Sequence, residues 1–236
     1  MMLHKKIGIL GGLSPESTTV YYDHLIREYA RRYGDSNYPE IIIYSVNFQE
    51  FVDWQNQNRW YLAAKKMISV FKILEKAGAD FGLIATNTMH IVFDQVQSAI
   101  SIPLLSIIES TAEAINKDRI QTVGLLGTIF TMSEDFYKLG LKERGITTLV
   151  PEKEDQEFIN GTIYKELTKG IIKSESKAGY LKIINKLRDR GAQGIVLGCT
   201  EIPLLVKEED CSISLYDTTT IHAEAALNYA TSHRLT

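Results

Sequence analysis

Gly78-Ala79-Asp80-Phe81-Gly82-Leu83-Ile84-Ala85-Thr86-Asn87 is echoed without a gap, 113 positions on, by Gly191-Ala192-Gln193-Gly194-Ile195-Val196-Leu197-Gly198-Cys199-Thr200. Each copy reads as a helix-ending Gly-Ala, an apolar strand, then a small residue and a hydroxyl or thiol. A second echo pairs Ile7-Gly8-Ile9-Leu10-Gly11-Gly12 with Val123-Gly124-Leu125-Leu126-Gly127-Thr128, 116 positions apart. Chance likeness between strands of one sheet is the bland alternative. Two matched pairs at nearly one offset instead predict a duplicated α/β unit of about that length.

Around these echoes, short apolar runs alternate with helix-patterned stretches. Ile7–Leu10, Ile41–Val46, Phe81–Ala85, Val123–Leu126 and Ile195–Leu197 are continuously apolar, as parallel strands covered on both faces are. A helix is predicted after Ser14-Pro15, with Ser14 capping and Pro15 in the first helical position. Others are expected over Trp60–Ala77, ended by Gly78, and over Ser176–Arg190, ended by Gly191. Thr131-Met132-Ser133-Glu134 reads as a capping box opening a further helix at Thr131. The alternation predicts α/β architecture with right-handed crossovers.

At 236 residues and 26.7 kDa the chain fits two small domains, and the echoes favour that division. With 44% apolar and 23% charged residues it can bury a core, so a disordered or fibrous protein is excluded. A net charge of −3 gives no electrostatic reason to expect nucleic acid or anionic membrane as a partner. The apolar run from Ile7 stops at Ser14-Pro15-Glu16, and no run reaches the roughly 18 residues of a membrane span. Two cysteines are too few for a disulfide scaffold. The expectation is a protein of a reducing, cytoplasmic compartment.

The chemistry-bearing residues gather where strands end. Gly8-Ile9-Leu10-Gly11-Gly12 fits neither a dinucleotide fingerprint nor a phosphate loop. Tight-turn glycines are the better reading, leaving amides after Ser14 for a small anion such as a carboxylate. Cys199 follows an apolar strand, where the next amides can lower a thiol pKa and supply a base or nucleophile. The alternative is a small buried hydrophobe. Cys211, in Glu208-Glu209-Asp210-Cys211, looks exposed and incidental, and no spacing suggests a metal. His90 and His222 read as structural hydrogen-bonding histidines. Asn87, Thr88, Thr128 and Thr131 supply amides and hydroxyls suited to a carboxylate. Thr86 and Cys199 occupy equivalent strand ends, so two halves facing about a pseudo-dyad would present them to opposite sides of one ligand.

IGILGGLSPEST (7–18) with the following YY, ATNTMH (85–90), LGTIFTM (126–132), IYKEL (163–167), GCTEIPLL (198–205) and YDTTTIHAEAA (216–226) together resemble the aspartate/glutamate racemase family. The resemblance runs in order over essentially the whole chain. It implies two similar three-layer αβα domains with mainly parallel four-stranded sheets, related by a pseudo-twofold axis, with the active site in the cleft between them. Residues 1–116 with 208–236, whose C-terminal helix packs back, would form the first domain, and 117–207 the second. The family needs no cofactor and uses two thiols, one on each face of the substrate Cα. Cys199 matches the second; Thr86 stands where the first is expected.

By that likeness the protein is a PLP-independent racemase of aspartate or glutamate that favours the L-enantiomer. Cys199 is the base, and Thr86 or water reprotonates from the opposite face. Asn87, Thr88, Thr128, Thr131 and Thr200 correspond to residues holding the α-carboxylate and amine. Lys165 matches a lysine pairing with the substrate's other carboxylate, which favours acidic amino acids. Gln55 falls where some members carry an arginine after Pro-Asp, and Leu13 lines the pocket. A homodimer is implied. The alternatives are a single-cysteine decarboxylase of substituted malonates, or an amino-acid-binding protein with little turnover.

Overall fold

A computed structural model of the chain describes residues 4–232. Eight strands run β1 (Ile7–Gly11), β2 (Ile41–Ser45), β3 (Phe81–Ile84), β4 (Leu104–Leu105), β5 (Thr122–Gly127), β6 (Thr147–Leu149), β7 (Gly194–Gly198) and β8 (Ser214–Asp217). The helices are α1 (Pro15–Tyr33), α2 (Phe48–Asn56), α3 (Trp60–Lys76), α4 (Phe93–Gln97), α5 (Ile107–Lys117), α6 (Ile129–Ser133), α7 (Asp135–Lys142), α8 (Lys153–Lys165), α9 (Ser174–Asp189), α10 (Ile202–Leu205) and α11 (Thr218–Thr231).

Two four-stranded sheets form, ordered β2-β1-β3-β4 and β6-β5-β7-β8, and every pairing is parallel. The same strand order in both sheets is the structural counterpart of the sequence echo. Gly78 (φ 93) and Gly191 (φ 102) are its clearest marks. Each follows a helix in the left-handed region, which a glycine enters without a Cβ penalty, and turns the chain into the next strand.

In the first sheet, alternate side chains serve two cores. Ile7, Ile9, Phe81 and Leu83 pack with Tyr21, Leu25 and Tyr29 of α1 and with Ala223, Ala226, Leu227 and Ala230 of α11. Leu10 and Ile84 pack with Met67, Val70, Phe71 and Leu74 of α3. Helices on both faces explain why these strands are apolar throughout; each such side chain removed from water is worth about 1.5–3 kcal/mol. In the second sheet, Leu126, Ile195 and Leu197 pack with Ile159 and Ile163 of α8 and Tyr180, Ile183, Ile184 and Leu187 of α9.

The chain divides after Ile107 and again before His222, rather than after 116 and 207 as expected from the sequence. The shift has physical causes. Strand β8 pairs with β7, so the segment from 208 to 221 belongs to the second unit. Helix α5 belongs there too: Ile108 lies under Gly140 of α7, Glu109 pairs with Arg144, and Tyr216 donates to Asp118 at 2.8 Å. The alanine face of α11 packs in the core of the first sheet.

The capping box at Thr131 is not formed. β5 runs to Gly127, so Thr128 is the first hydroxyl available and caps α6, accepting from the Thr131 amide at 3.3 Å. Thr131 lies inside α6, while Glu134 is extended (φ −72, ψ 160) and separates α6 from α7.

Candidate active site

In the first unit, β1 ends at Gly11 and the chain turns through Gly12 into α1. Gly12 has φ 85, and a Cβ there would stand 2.5 Å from the Val46 carbonyl oxygen. Its amide donates to Thr18 Oγ1 at 2.8 Å, which ties the turn to the first turn of α1. Ser14 is the N-cap residue and Pro15 follows, but the Ser14 hydroxyl does not cap. Ser17 Oγ donates to the carbonyls of Ser14 (2.9 Å) and Ala85 (3.3 Å), tying the first turn of α1 to the end of β3. Leu13 is buried with Leu10, Phe51 and Met67, so its contacts lie in the α3-side core.

After β3 come Thr86, half-buried, and Asn87 and Thr88, buried, leading into a single 3-10 turn over Thr88–Val92. His90 clamps this turn. Its Nδ1 donates to the Thr86 carbonyl at 2.8 Å, and its Nε2 accepts from the Ile107 amide at 3.1 Å. Those partners fix one neutral tautomer. Burial, then the nearby His222, push its pKa down to about 3. His222 is held likewise, with Tyr21 at 2.8 Å and the Leu105 carbonyl at 3.0 Å, and burial takes it to about 4. Both histidines are structural, as expected. Gln55 sits buried in the last turn of α2.

In the second unit, β5 and β7 are neighbours, with Gly127 level with Gly198. Thr128 and Thr131 therefore lie on the same sheet edge as Cys199 and Thr200. Thr128 and Thr131 hydroxyls are 3.1 Å apart, and Asn160 of α8 accepts from the Ile129 amide at 2.9 Å, anchoring this turn. Lys165, the last residue of α8, is exposed and makes no ion pair among the described residues, whereas its neighbour Glu166 binds Lys173 and Ser176. Cys211 is half-buried against the second core rather than exposed, because the 3-10 turn Glu208–Asp210 folds it inward.

Cys199 is only 7% exposed, and Glu201 only 4%. The thiol donates to Glu201 Oε2 at 2.9 Å, and Thr200 Oγ1 donates to the same oxygen at 2.8 Å. The expected lowering of the thiol pKa is reversed. Burial first, then the Glu201 charge and the hydrogen bond to it, push the thiol well above its ordinary range; the Thr200 and Glu201 amides pull the other way and lose. Glu201 is the residue the motif reading passed over. Its signal was there, as the lone acid in the apolar run Leu197-Gly198-Cys199-Thr200-Glu201-Ile202-Pro203-Leu204-Leu205.

The described residues hold no cluster of three metal-ligating side chains, and none of their helices is long and apolar enough to cross a membrane. What they define is a duplicated αβα fold whose carboxyl-side strand ends carry a thiol in one copy and a hydroxyl in the other. The chain belongs to the Asp/Glu/Hydantoin racemase family, whose profile matches residues 10–226, and is accordingly an isomerase. The broad specificity amino-acid racemase RacX of Bacillus subtilis (strain 168) is 26% identical, over 94% of this chain and 96% of its own. An aspartate racemase homologue from Pyrococcus horikoshii OT3 superposes with a TM-score of 0.84 at 42% identity, covering 97% of this chain and all 100% of that one. An aspartate racemase of Picrophilus torridus shares the fold, with a TM-score of 0.76 at 24% identity over 98% of this chain and 96% of its own.

Proposed function

We propose that the protein racemises aspartate and glutamate without pyridoxal phosphate, favouring the L-enantiomer. Cys199 takes the α-proton, and Thr86 or a water it orients delivers one to the opposite face. The observation that carries this reading is the Cys199–Glu201 hydrogen bond at the end of β7, where the equivalent position of the other repeat, after β3, has only a hydroxyl. A hydroxyl is a far weaker acid than a thiol and cannot serve as the base near neutral pH, so removal of the proton is assigned to the cysteine side alone. The carbanion beside a carboxylate is costly. Donors from Asn87, Thr88, Thr128, Thr131 and Thr200 are assigned to the α-carboxylate and amine, and Lys165, which has no ion pair among the described residues, to the substrate's second carboxylate. Gln55 is assigned to the place of a side-chain clamp without a charge, and Leu13 to the pocket wall. The reading brings with it a cytoplasmic homodimer, which sedimentation and fractionation would check.

Proton NMR in D2O with each enantiomer of Asp and Glu is the test. Exchange of the L α-protons, faster than of the D, is expected, and Cys199→Ala should cut it at least about 100-fold, the lower range for a general base. Unaltered exchange in that variant removes Cys199 from its role. One observation favours a second reading: a thiol held protonated carries a proton to deliver, as a single-cysteine decarboxylase of substituted malonates requires. Release of CO2 from such a malonate, with no α-proton exchange on amino acids, would establish it. Binding of L-Asp by calorimetry with neither reaction would leave an amino-acid-binding protein.

A further inference from the structure

We infer that His90 is the positioning residue of Thr86: its imidazole ties the Thr86 carbonyl to the start of α5 and so sets where the Thr86 hydroxyl stands for returning a proton to Cα. The inference rests on the racemase reading above. Thr86 is held by its main chain on both sides. Its amide donates to the Ile84 carbonyl at 2.8 Å, closing a three-residue turn at the end of β3. Its carbonyl accepts from His90 Nδ1 at 2.8 Å. Its hydroxyl, by contrast, makes no hydrogen bond among the described residues. The hydroxyl is therefore placed by those two pins and by nothing else.

The far end of the clamp is fixed as well. His90 Nε2 accepts at 3.1 Å from the amide of Ile107, the first residue of α5, a donor that a helix start leaves without a partner inside the helix. Phe93 stacks on the imidazole, with centroids 5.2 Å apart and planes 9° apart, so two bonds and a stack define the ring. The chain leaves the first unit after Ile107 and returns to it at His222. His222 Nε2 donates to the carbonyl of Leu105, two residues before Ile107, while its Nδ1 is held by Tyr21 of α1. The two imidazoles meet edge to face, with centroids 6.1 Å apart. Burial keeps His90 neutral, so Nε2 remains an acceptor for the Ile107 amide.

The second copy of the repeat solves the same problem differently. The position 113 after Thr86 is Cys199, and the position 113 after His90 is Pro203, which has no side-chain donor. There the Cys199 carbonyl accepts from the Ile202 amide at 3.1 Å, a bond within its own turn. The carbonyl of the residue after the strand is thus held in both copies, by a local amide on the cysteine side and by an imidazole on the threonine side. Only Thr86 depends on a side chain and, through it, on a segment outside its turn. His90 acts through Thr86 and touches no reacting atom.

The experiment separates the two poles of the ring. In His90→Asn the amide nitrogen takes the place of Nδ1 and can still donate to the Thr86 carbonyl; in His90→Gln the amide oxygen takes the place of Nε2 and can still accept from Ile107. For each variant, chiral chromatography gives the rate at which L-Asp becomes D-Asp, and NMR in D2O gives its α-proton exchange. The ratio of conversion to exchange isolates the proton returned on the Thr86 side. His90→Gln should lower that ratio about 10-fold, since misplacing a reacting group is costly, while His90→Asn should keep it within about threefold of the unmodified protein. A merely structural histidine would slow both rates together in both variants, and equal ratios in the two overturn the inference. Should the variants fail to fold by circular dichroism, 15N NMR of the unmodified protein decides. A proton on Nδ1, with a resonance that moves when L-Asp is added, supports the inference; a proton on Nε2, or a resonance blind to L-Asp, overturns it. Absence of exchange or of conversion in unmodified protein defeats the racemase reading instead. The 13C shift of the Thr86 carbonyl then judges the clamp alone: a change in His90→Gln that His90→Asn does not share supports it, and equal shifts overturn it.

Discussion

Two glycines with similar backbone angles make different demands on their residue type. At Gly12 (φ 85) a Cβ would fall 2.5 Å from Val46 O and 2.6 Å from Val46 N, both backbone atoms that cannot swing aside. At Gly78 (φ 93) nothing lies within 4 Å, so only the left-handed conformation itself resists a side chain. Gly78→Ala should cost about 1–2 kcal/mol, and Gly12→Ala at least about 3 kcal/mol, because collision adds to strain. Urea denaturation measures both, and equal losses would refute the crowding argument. Thr86 is the other residue whose identity matters most. Under the racemase reading, Thr86→Cys places a thiol where the hydroxyl is the weak side, so α-proton exchange from D-Asp should rise relative to L-Asp. NMR in D2O reads the ratio, and an unchanged ratio would show that Thr86 does not limit the D direction.

Among the elements, α11 depends most visibly on its first turn. Asp217, the last residue of β8, accepts from the amides of Thr219 (3.0 Å) and Thr220 (3.4 Å) and from the Thr220 hydroxyl (2.7 Å). These satisfy donors that a helix start otherwise leaves open. Asp217→Ala is expected to lose about 1–2 kcal/mol, and Asp217→Asn much less, since an amide oxygen still accepts. Chemical denaturation of the two variants checks the order. Elements whose ends carry unambiguous residues were legible in the sequence: Pro15 opens α1, and Gly78 and Gly191 follow α3 and α9. α6 was not, because two hydroxyls three residues apart both suit a cap, and only the length of β5 selects Thr128. The domain boundary failed for a related reason. Strand β8, Ser214-Leu215-Tyr216-Asp217, is too short and mixed to read as a strand, so nothing local announced that it pairs with β7. In the candidate site, the position of Cys199 after an apolar strand was legible. Its protonation state was not, because sequence shows the amides beside a thiol but not which way a carboxylate two residues on will fold.

Over the whole molecule, two neutral histidines buried in the first unit tie stability to pH. His90 is held to about 3 and His222 to about 4, against an ordinary 6.5. In the unfolded chain both titrate near 6.5, so below that pH the unfolded state binds protons the native state refuses. Stability from these sites is therefore complete above about pH 6.5 and is lost as the pH falls toward the folded values, by up to about 1.4 kcal/mol per pH unit for each histidine. Carboxylates do not confuse this window. Glu28, drawn down to about 2 by hydrogen bonds from Arg31 and Arg32, starts from 4.5 and contributes its own loss only at lower pH. Urea midpoints between pH 7 and pH 5 should fall steadily. His222→Gln should lower stability at neutral pH yet remove one histidine's share of the slope, since an amide can accept from Tyr21 and donate to Leu105 without titrating. A slope that is flat in the unmodified protein, or unchanged in the variant, would mean that one or both rings are already charged in the native core.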